Sequence, residues 1–339
     1  MKRLVIWLFV IVIAVVGVII ALIAIAETRP YKGYADSEQF VEIPQGAGPA
    51  SIGKRLVDAG VIRDTLGFRF ELARTRSGRR LQAGEYRFDR PMTVAEVVSK
   101  IARGDVFLVP ITFREGLTIR EMASAFEAKG LGSAADFTAA ASDRQLVRDV
   151  DPAARDLEGY LFPDTYATVR HTTATDLVPR MVAGFEKALT PDIRAAASAR
   201  GLSVRALVTL ASIVEKETGK PEERPLVAAV YSNRLRIGMP LQCDPTVIYA
   251  LQLADRYHGN LTRDNMQIDS PYNTYRYAGL PPGPIANPGR ASLEAAAHPA
   301  DVPYLYFVAR GDGSHVFASS LEEHNRNVAA LRRVVAHQR

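Results

Sequence analysis

Two glutamates separated by a single residue are the first candidates for chemistry in this sequence. Glu215 and Glu217 end a segment that starts at Ser203, a residue suited to capping a helix, and carries apolar residues at helical spacing. At about 100° per residue, the two carboxylates fall on opposite margins of the apolar face, and Lys216 points away from it. The pattern therefore predicts two carboxyl groups beside an apolar surface, on different sides of one helix.

Residues two positions apart on a helix do not face each other, so this pair cannot form the facing carboxylates of an ordinary glycosidase. The helix end can instead supply one carboxyl group against an apolar wall. Desolvation there raises the pKa of a carboxyl group towards the range useful for a general acid. The alternative is a solvated helix end whose carboxylates pair with Lys216, Arg224 or Arg234, as most surface glutamates do.

Two later stretches hold further polar and aromatic residues. Asp244 precedes Pro245 and Thr246, which is typical of a helix start, and an N-cap is the simpler interpretation of its carboxylate. The segment 272–289 is rich in Tyr, Pro and Gly. A rigid backbone with flat aromatic faces suits sugar rings in an open groove, although a structural loop would have the same composition.

Other chemistries find little support. The sequence contains no HExxH, Walker or GxGxxG motif, and its six histidines lack metal-ligand spacing, so we expect neither a metal nor a cofactor. Ser51 and Lys54 match an SxxK pattern, but no KTG follows. Without Lys2 and Arg3 the chain has 40 basic and 37 acidic residues, an excess of +3. This excess is interpreted as small and dispersed, and no nucleic-acid partner is expected.

The N-terminal segment predicts a membrane anchor. Leu4 to Ala26 is a run of 23 residues without a charge, long enough for a helix to cross a hydrocarbon core of about 30 Å. Lys2 and Arg3 precede it, so residues 1–3 are expected to be cytoplasmic and the remaining chain to lie outside the inner membrane. The alternative is a signal peptide cleaved after Ala24-Ile-Ala26, although its apolar run would be unusually long.

The rest of the chain divides by its patterns. Residues 27–40 are interpreted as a linker. Two similar strand–glycine–helix segments follow, beginning near Phe40 and Ile111, and predict a duplicated α/β region over 41–150. The segment 83–88 is predicted to be a further strand, with Thr93 capping the next helix. Residues 151–339 are predicted to form a mixed α+β domain with a buried strand near 303–308 and a closing helix from about Leu321.

At the Glu-Lys-Glu-Thr stretch the sequence resembles the YceG-like endolytic murein transglycosylases (MltG type). The similarity runs from the N-terminal apolar segment to the end of the chain, and its motifs keep their order and spacing. The matching segments are 157–166 (LEGYLFPDTY), 211–218 (ASIVEKET), 233–239 (NRLRIGM), 244–249 (DPTVIY), 272–275 (YNTY), 279–283 (GLPPG), 295–299 (AAAHP) and 304–308 (YLYFV). Cys243 departs from the pattern, in which a threonine-like residue is expected.

The resemblance implies an α+β fold with a LysM-like, glycan-binding module within 41–150 and a YceG-like catalytic domain over 151–339. It implies a lyase that cleaves the MurNAc–GlcNAc β-1,4 bond of peptidoglycan without water and leaves 1,6-anhydro-MurNAc ends. It assigns the catalytic role to Glu215. The residues expected to hold the sugars are Glu158, Glu217, Gln242, Asp244, Asn273 and Tyr275. Expected partners are glycan strands and, at the membrane, penicillin-binding synthases.

Two other functions stay open. A lysozyme-type glycan hydrolase would need a second carboxylate across the cleaved bond, for which Glu158 or Asp164 are candidates. A non-catalytic scaffold of the wall-synthesis machinery would bind glycan through its LysM-like region and would not need Glu215.

Overall fold

The computed structural model describes residues 28–337 and five separate positions before them, 7, 11, 12, 14 and 15. The predicted cytoplasmic tail and most of the predicted membrane helix over 4–26 therefore lie outside the described residues. Within the described residues, no single helix has the length and apolarity needed to cross a membrane; the helices 191–199 and 204–217, which meet at 98°, meet that criterion only as a bent pair.

The chain divides into two compact units, Met1–Val109 and Pro110–Arg339. The boundary expected from the sequence was residue 150. The two similar strand–helix segments form the elements that their patterns predict, but they fall in different units.

The first unit has a strand–helix–helix–strand order. Strand β1 (Gln39–Ile43) pairs antiparallel with β2 (Gly84–Phe88), and α1 (Pro49–Asp58) and α2 (Thr65–Thr75) lie between them in the chain. Helix α3 (Val94–Arg103) follows. Thr93 caps α3 in a reciprocal capping box with Glu96, which confirms the predicted cap. The buried core includes Val41, Ile43, Ile52, Leu56, Phe68, Leu72, Tyr86, Val97 and Ile101.

The second unit is mainly helical with two small sheets. Strands β3 (Val109–Thr112) and β4 (Thr165–Thr168) form one sheet, and β5 (Tyr306–Ala309) pairs antiparallel with β6 (His315–Ala318) in the other. The strand predicted near 303–308 thus begins at Tyr306, and it is partly exposed rather than buried as predicted. The helices are α4 (Ile119–Ala128), α5 (Ala134–Ala141), α6 (Ala174–Ala188), α7 (Pro191–Ala199), α8 (Val204–Glu217), α9 (Arg224–Arg236), α10 (Asp244–Leu253), α11 (Arg290–Ala297) and α12 (Leu321–His337). The α+β class expected from the sequence is confirmed.

Helix α8 lies in the core of the second unit and packs against α9 and α11. The Ser203 side chain accepts the Ala206 N–H at 3.2 Å, as the capping pattern predicts. Every residue from 207 to 214 is buried, including Thr209 and Ser212 on the polar side of the helix. The Ser212 hydroxyl donates to the Thr209 carbonyl and accepts the Ile285 N–H. Residues 207–214 of α8 are therefore held by packing on all sides, up to the turn that carries Glu215 and Glu217.

The predicted capping role of Asp244 is wrong. Helix α10 begins at Asp244 itself, its N-cap is Cys243, and no side chain caps it. The Thr246 hydroxyl donates to the Cys243 carbonyl at 2.7 Å and stabilises the first turn. The Asp244 carboxylate is thus left available for other contacts.

Candidate active site

Glu217, the last residue of α8, is the candidate general acid at this helix end. It is partly buried, and its Oε1 accepts a hydrogen bond from the Tyr231 hydroxyl at 2.7 Å. Burial raises the pKa of Glu217. The Cys243 thiol and the Tyr231 hydroxyl oppose that rise by hydrogen bonding, while the nearby charge of Asp244 adds to the rise in pKa.

The partners of Glu217 are themselves held in the interior. Tyr231 lies on α9 with 1% of its surface exposed, and Cys243 is fully buried. Burial raises the pKa of both the Tyr231 hydroxyl and the Cys243 thiol, so both stay protonated and act as donors. Two neutral donors therefore orient the carboxyl group of Glu217.

Three of the residues expected to bind sugar form an exposed rim close to Glu217. Asp244 and Gln242 are exposed, and the Tyr275 hydroxyl donates to Asp244 Oδ1 at 2.6 Å. Gln242 has a φ of 52°, which is uncommon for a residue with a side chain. Its N–H bonds to the Thr274 carbonyl, which holds this strained turn against the Tyr275 segment. Carboxylate, amide and phenol groups thus stand together at the surface.

Glu215 has different surroundings. Only 5% of its side chain is exposed, and it is paired with Arg224 at 3.1 Å. Its second oxygen accepts the Gly289 N–H at 2.9 Å. Glu215 therefore joins the end of α8 to the start of α9 and to the residue that caps α11.

Glu115 is the second carboxylate beside Arg224, after Glu215. Arg224 Nη2 lies 3.5 Å from Glu115 Oε2. Burial raises the pKa of Glu115, the charge of Glu215 raises it further, and Arg224 opposes both. A Cβ at Gly289 would meet the Glu115 carboxylate, so a side chain there would require Glu115 to move away from Arg224.

Glu158 and Asn273, which were expected to bind sugar, are used inside the protein. Both are buried. The Glu158 carboxyl accepts the Ile119 N–H at 3.1 Å, the Asn287 amide at 2.9 Å and the Tyr249 hydroxyl at 3.3 Å. Burial raises the pKa of Glu158 to about 8. The Asn273 amide donates to the Met266 and Ile268 carbonyls and closes its own loop.

The Gly/Pro-rich loop is also largely interior. Residues 283–289 are buried, and Asn287 holds them in place. Its side-chain oxygen accepts the Gly159 and Leu161 N–H groups at 2.9 Å each, and its amide donates to the Leu117 carbonyl and to Glu158. Residues 283–289 therefore hold the segments around Leu117 and Gly159 together. Tyr275 and Tyr277, by contrast, are 36% and 46% exposed and face solvent.

His315 and Glu223 form a buried pair on another side of Glu217. His315 Nδ1 lies 2.6 Å from Glu223 Oε2, and the His315 N–H donates to Glu223 Oε1. These hydrogen bonds outweigh burial and lower the pKa of Glu223. The charge of His315 also lowers the pKa of Glu217. This pair ties β6 to the turn that follows α8.

Among the described residues, no group of three or more His, Cys, Asp and Glu side chains is arranged to hold a metal ion. Sequence reasoning missed Tyr231, Arg224, Glu115, Asn287 and His315. Arg224 was named only as a possible surface partner, and the others carry no local motif. Their roles depend on contacts between residues far apart in the chain, such as the 128 positions that separate Gly159 from Asn287.

The described geometry defines an α+β protein with a candidate acid–base site: one partly desolvated carboxyl group at a helix end, beside an exposed polar and aromatic rim. The YceG-like family model matches residues 41–330, and the chain belongs to that family.

Individual relatives agree with this family. The chain is 32% identical to a Bacillus subtilis (strain 168) protein named endolytic murein transglycosylase, over 84% of this chain and 82% of that protein. It is 33% identical to a Streptococcus pneumoniae (strain D39) protein of the same name, covering 87% of this chain but only 59% of the longer relative. The crystal structure of a YceG-like protein from Listeria monocytogenes superimposes with a TM-score of 0.58 at 32% identity, over 86% of this chain and 99% of that one.

Proposed function

We propose that this chain is an endolytic peptidoglycan transglycosylase, a lyase that cleaves the MurNAc–GlcNAc β-1,4 bond within glycan strands and leaves 1,6-anhydro-MurNAc ends. The names of the Bacillus and Streptococcus relatives support this activity. The observation that carries it is the Glu217 carboxyl group, which has a raised pKa, two neutral donors and an exposed polar and aromatic rim beside it.

The reaction needs one carboxyl group that acts twice. Protonated Glu217 gives its proton to the glycosidic oxygen as the bond to the anomeric carbon breaks. The resulting carboxylate then takes the proton from the C6 hydroxyl of the same MurNAc, whose oxygen bonds to the anomeric carbon. The proton returns to Glu217, no water is consumed, and the second carboxylate of an inverting hydrolase is not required.

The family resemblance assigned the acid to Glu215, and that assignment stays a prediction. Its surroundings favour a different role, because both of its carboxylate oxygens are engaged, one by the Arg224 guanidinium and the other by the Gly289 N–H. In this proposal Glu217 is the acid and base, and Glu215 positions the ends of α8, α9 and α11.

A lysozyme-type hydrolysis is the second candidate. Asp244 is a carboxylate close enough to Glu217 to raise its pKa. A pair of this kind could serve as acid and nucleophile in a retaining glycosidase. Glu158, the partner suggested by the sequence, is engaged with Ile119, Asn287 and Tyr249 instead.

We also propose the cellular setting that the sequence predicts. Residues 4–26 anchor the chain once in the inner membrane, with residues 1–3 in the cytoplasm and the catalytic domain outside. That the first unit is compact is consistent with a LysM-like glycan-binding module. Such a module would hold glycan close to the membrane. Penicillin-binding synthases, which make nascent strands there, are the proposed neighbours.

The test is product analysis with purified glycan strands and the full chain in detergent, beside Glu217→Gln and Glu215→Gln. Mass spectrometry distinguishes anhydro-MurNAc ends from reducing ends. We expect anhydro ends from the wild type, at least a hundredfold less product from Glu217→Gln, and a smaller loss from Glu215→Gln. Reducing ends would establish the hydrolase. If Glu215→Gln abolished cleavage while Glu217→Gln retained it, the acid would be Glu215. Binding without any cleavage by the wild type would favour the scaffold.

A further inference from the structure

The positive charge of the described chain is concentrated in one short segment. Residues 28–109 contain 14 basic and 10 acidic residues, an excess of +4, whereas residues 110–339 contain 26 of each. Residues 63–80 alone contain 6 basic and 2 acidic residues, again +4. The whole excess of positive charge over residues 28–339 therefore lies on the 18 residues 63–80. The interpretation of the charge as dispersed is thus wrong.

This segment contains helix α2, which has two different apolar faces. Phe68 and Leu72 are buried in the core of the first unit. Leu66 and Phe70 lie one turn apart on the opposite side and are 65% and 45% exposed. Large apolar side chains that are exposed as neighbours on a helix point to a surface that contacts something else.

Arginines flank the exposed pair. Arg69 lies between Leu66 and Phe70 in the sequence and is exposed, and Arg76 follows at the end of the same helix. Arg74 is already paired with Glu71 at 2.7 Å. In the part of the chain that the structure describes, no carboxylate lies within ion-pair distance of Arg69, Arg76 or Arg80.

We propose that the exposed face of α2, formed by Leu66, Arg69, Phe70 and Arg76, docks on an anionic phospholipid surface. A helix that presents apolar side chains flanked by arginines matches the interface of such a membrane: the side chains enter the headgroup boundary and the guanidinium groups meet phosphates. A purely anionic polymer would complement the charge but leave Leu66 and Phe70 exposed. The occupant is therefore lipid.

This docking differs from the proposed catalysis and from the proposed anchor. An anchor would fix only one end of the chain, whereas a docked α2 would also fix how the first unit is oriented on the bilayer. The residues involved lie within the first unit, and Glu217 lies in the second. Loss of docking should thus leave the cleavage of purified glycan strands by the full chain in detergent unchanged. The docking proposal and the proposed catalytic function can therefore be refuted independently.

The test uses an introduced indole in the full chain. Trp7 is the only tryptophan, so Trp7→Phe with Phe70→Trp gives a single reporter on the α2 face. The protein is reconstituted into vesicles of brominated phosphatidylcholine with or without 30% phosphatidylglycerol, and fluorescence quenching is measured. We expect a blue-shifted, quenched emission only with phosphatidylglycerol, and its loss in high salt.

Matched variants make the test specific. Each arginine near an anionic surface strengthens binding about fivefold, so Arg69→Gln with Arg76→Gln should weaken docking about 25-fold. Arg55→Gln with Arg103→Gln removes the same charge from the last turns of α1 and α3 and should leave quenching unchanged. Thermal melting checks that both double variants fold. Absence of quenching with the anionic lipid, equal quenching without it, or an equal effect of the two double variants would overturn the proposal.

Discussion

Tyr231 Oη and Glu217 Oε1 are 2.7 Å apart and join the end of helix α8 to the middle of helix α9. The hydroxyl is neutral and buried, so it can donate to Glu217 without fixing the charge of that group as a cation would. Because residues 207–214 of α8 are buried and the helix is held in place, this contact orients the carboxyl group at its end. Tyr231 and Asp244 act on the pKa of Glu217 in opposite directions.

Tyr231→Phe removes a hydrogen bond that lowers the pKa of Glu217. The pKa should therefore rise, and the alkaline limb of the pH profile of kcat/KM should move to higher pH, by up to about one unit. We expect activity at the optimum to fall roughly tenfold, because the carboxyl group loses its orientation. The measurement is the rate of anhydro-MurNAc formation across pH. Tyr257→Phe, which removes a hydroxyl bonded only within its own loop, is the control, and an equal shift there would contradict this explanation.

Asp244→Asn removes a negative charge that raises the pKa of Glu217. The pKa should fall, so the alkaline limb should move to lower pH while the amide still accepts the Tyr275 hydroxyl. Some activity should remain, because the proposed reaction uses one carboxyl group. Complete loss of cleavage at every pH, together with reducing ends from the wild type, would instead assign Asp244 as the nucleophile of a hydrolase.

Glu158 makes the stability of the second unit depend on pH. Burial raises its pKa from 4.5 to about 8, so the folded chain binds more protons than the unfolded chain between those values. The free energy of unfolding should thus fall as pH rises through that window, by at most about 1.4 kcal/mol per unit from this group. Urea unfolding at pH 5, 6.5 and 8 tests this. Glu158→Gln, which keeps an acceptor for Ile119 and Asn287, should flatten the profile, and an unchanged slope would contradict the assignment.

Asn287 is predicted to be a major contributor to stability. Its side chain bonds to Gly159, Leu161, Leu117 and Glu158 at 2.9 Å each. Asn287→Ala would remove the side-chain acceptor of the Gly159 and Leu161 N–H groups and one donor each from the Leu117 carbonyl and Glu158. We expect a loss of about 2–4 kcal/mol in the free energy of unfolding. Asn260→Ala, at an exposed position, is the control and should change that free energy by less than about 0.5 kcal/mol. A similar small change for Asn287→Ala would show that solvent replaces its bonds.

Local patterns predicted the elements well. The caps at Thr93 and Ser203, the strand that became β2 and the start of α12 at Leu321 all follow from nearby residues. Asp244 misled for a local reason: Pro245 occupies the first turn, but the backbone enters the helix one residue earlier than the cap pattern requires.

The site was only partly predictable, because its selection depends on tertiary contacts. The helical spacing placed Glu215 and Glu217 at the margins of one helix, but it could not show that Arg224 would pair with one and Tyr231 with the other. Similarly, the sequence shows both Glu158 and Tyr275 as polar residues in aromatic loops. In the structure Glu158 is buried and accepts three hydrogen bonds, whereas Tyr275 is exposed at the rim.

The burial of residues 207–214 of α8 on every side limits how this protein can evolve or be engineered. The candidate acid, Glu217, lies at the C-terminal end of a helix that cannot shift or rotate without disrupting the core of the second unit. Substitutions that adapt the protein to a new substrate, in nature or in the laboratory, should therefore occur in the surface segments that carry Gln242, Asp244 and Tyr275. The helix itself would be inherited almost unaltered, and its sequence should diverge more slowly than that of the loops opposite its tip.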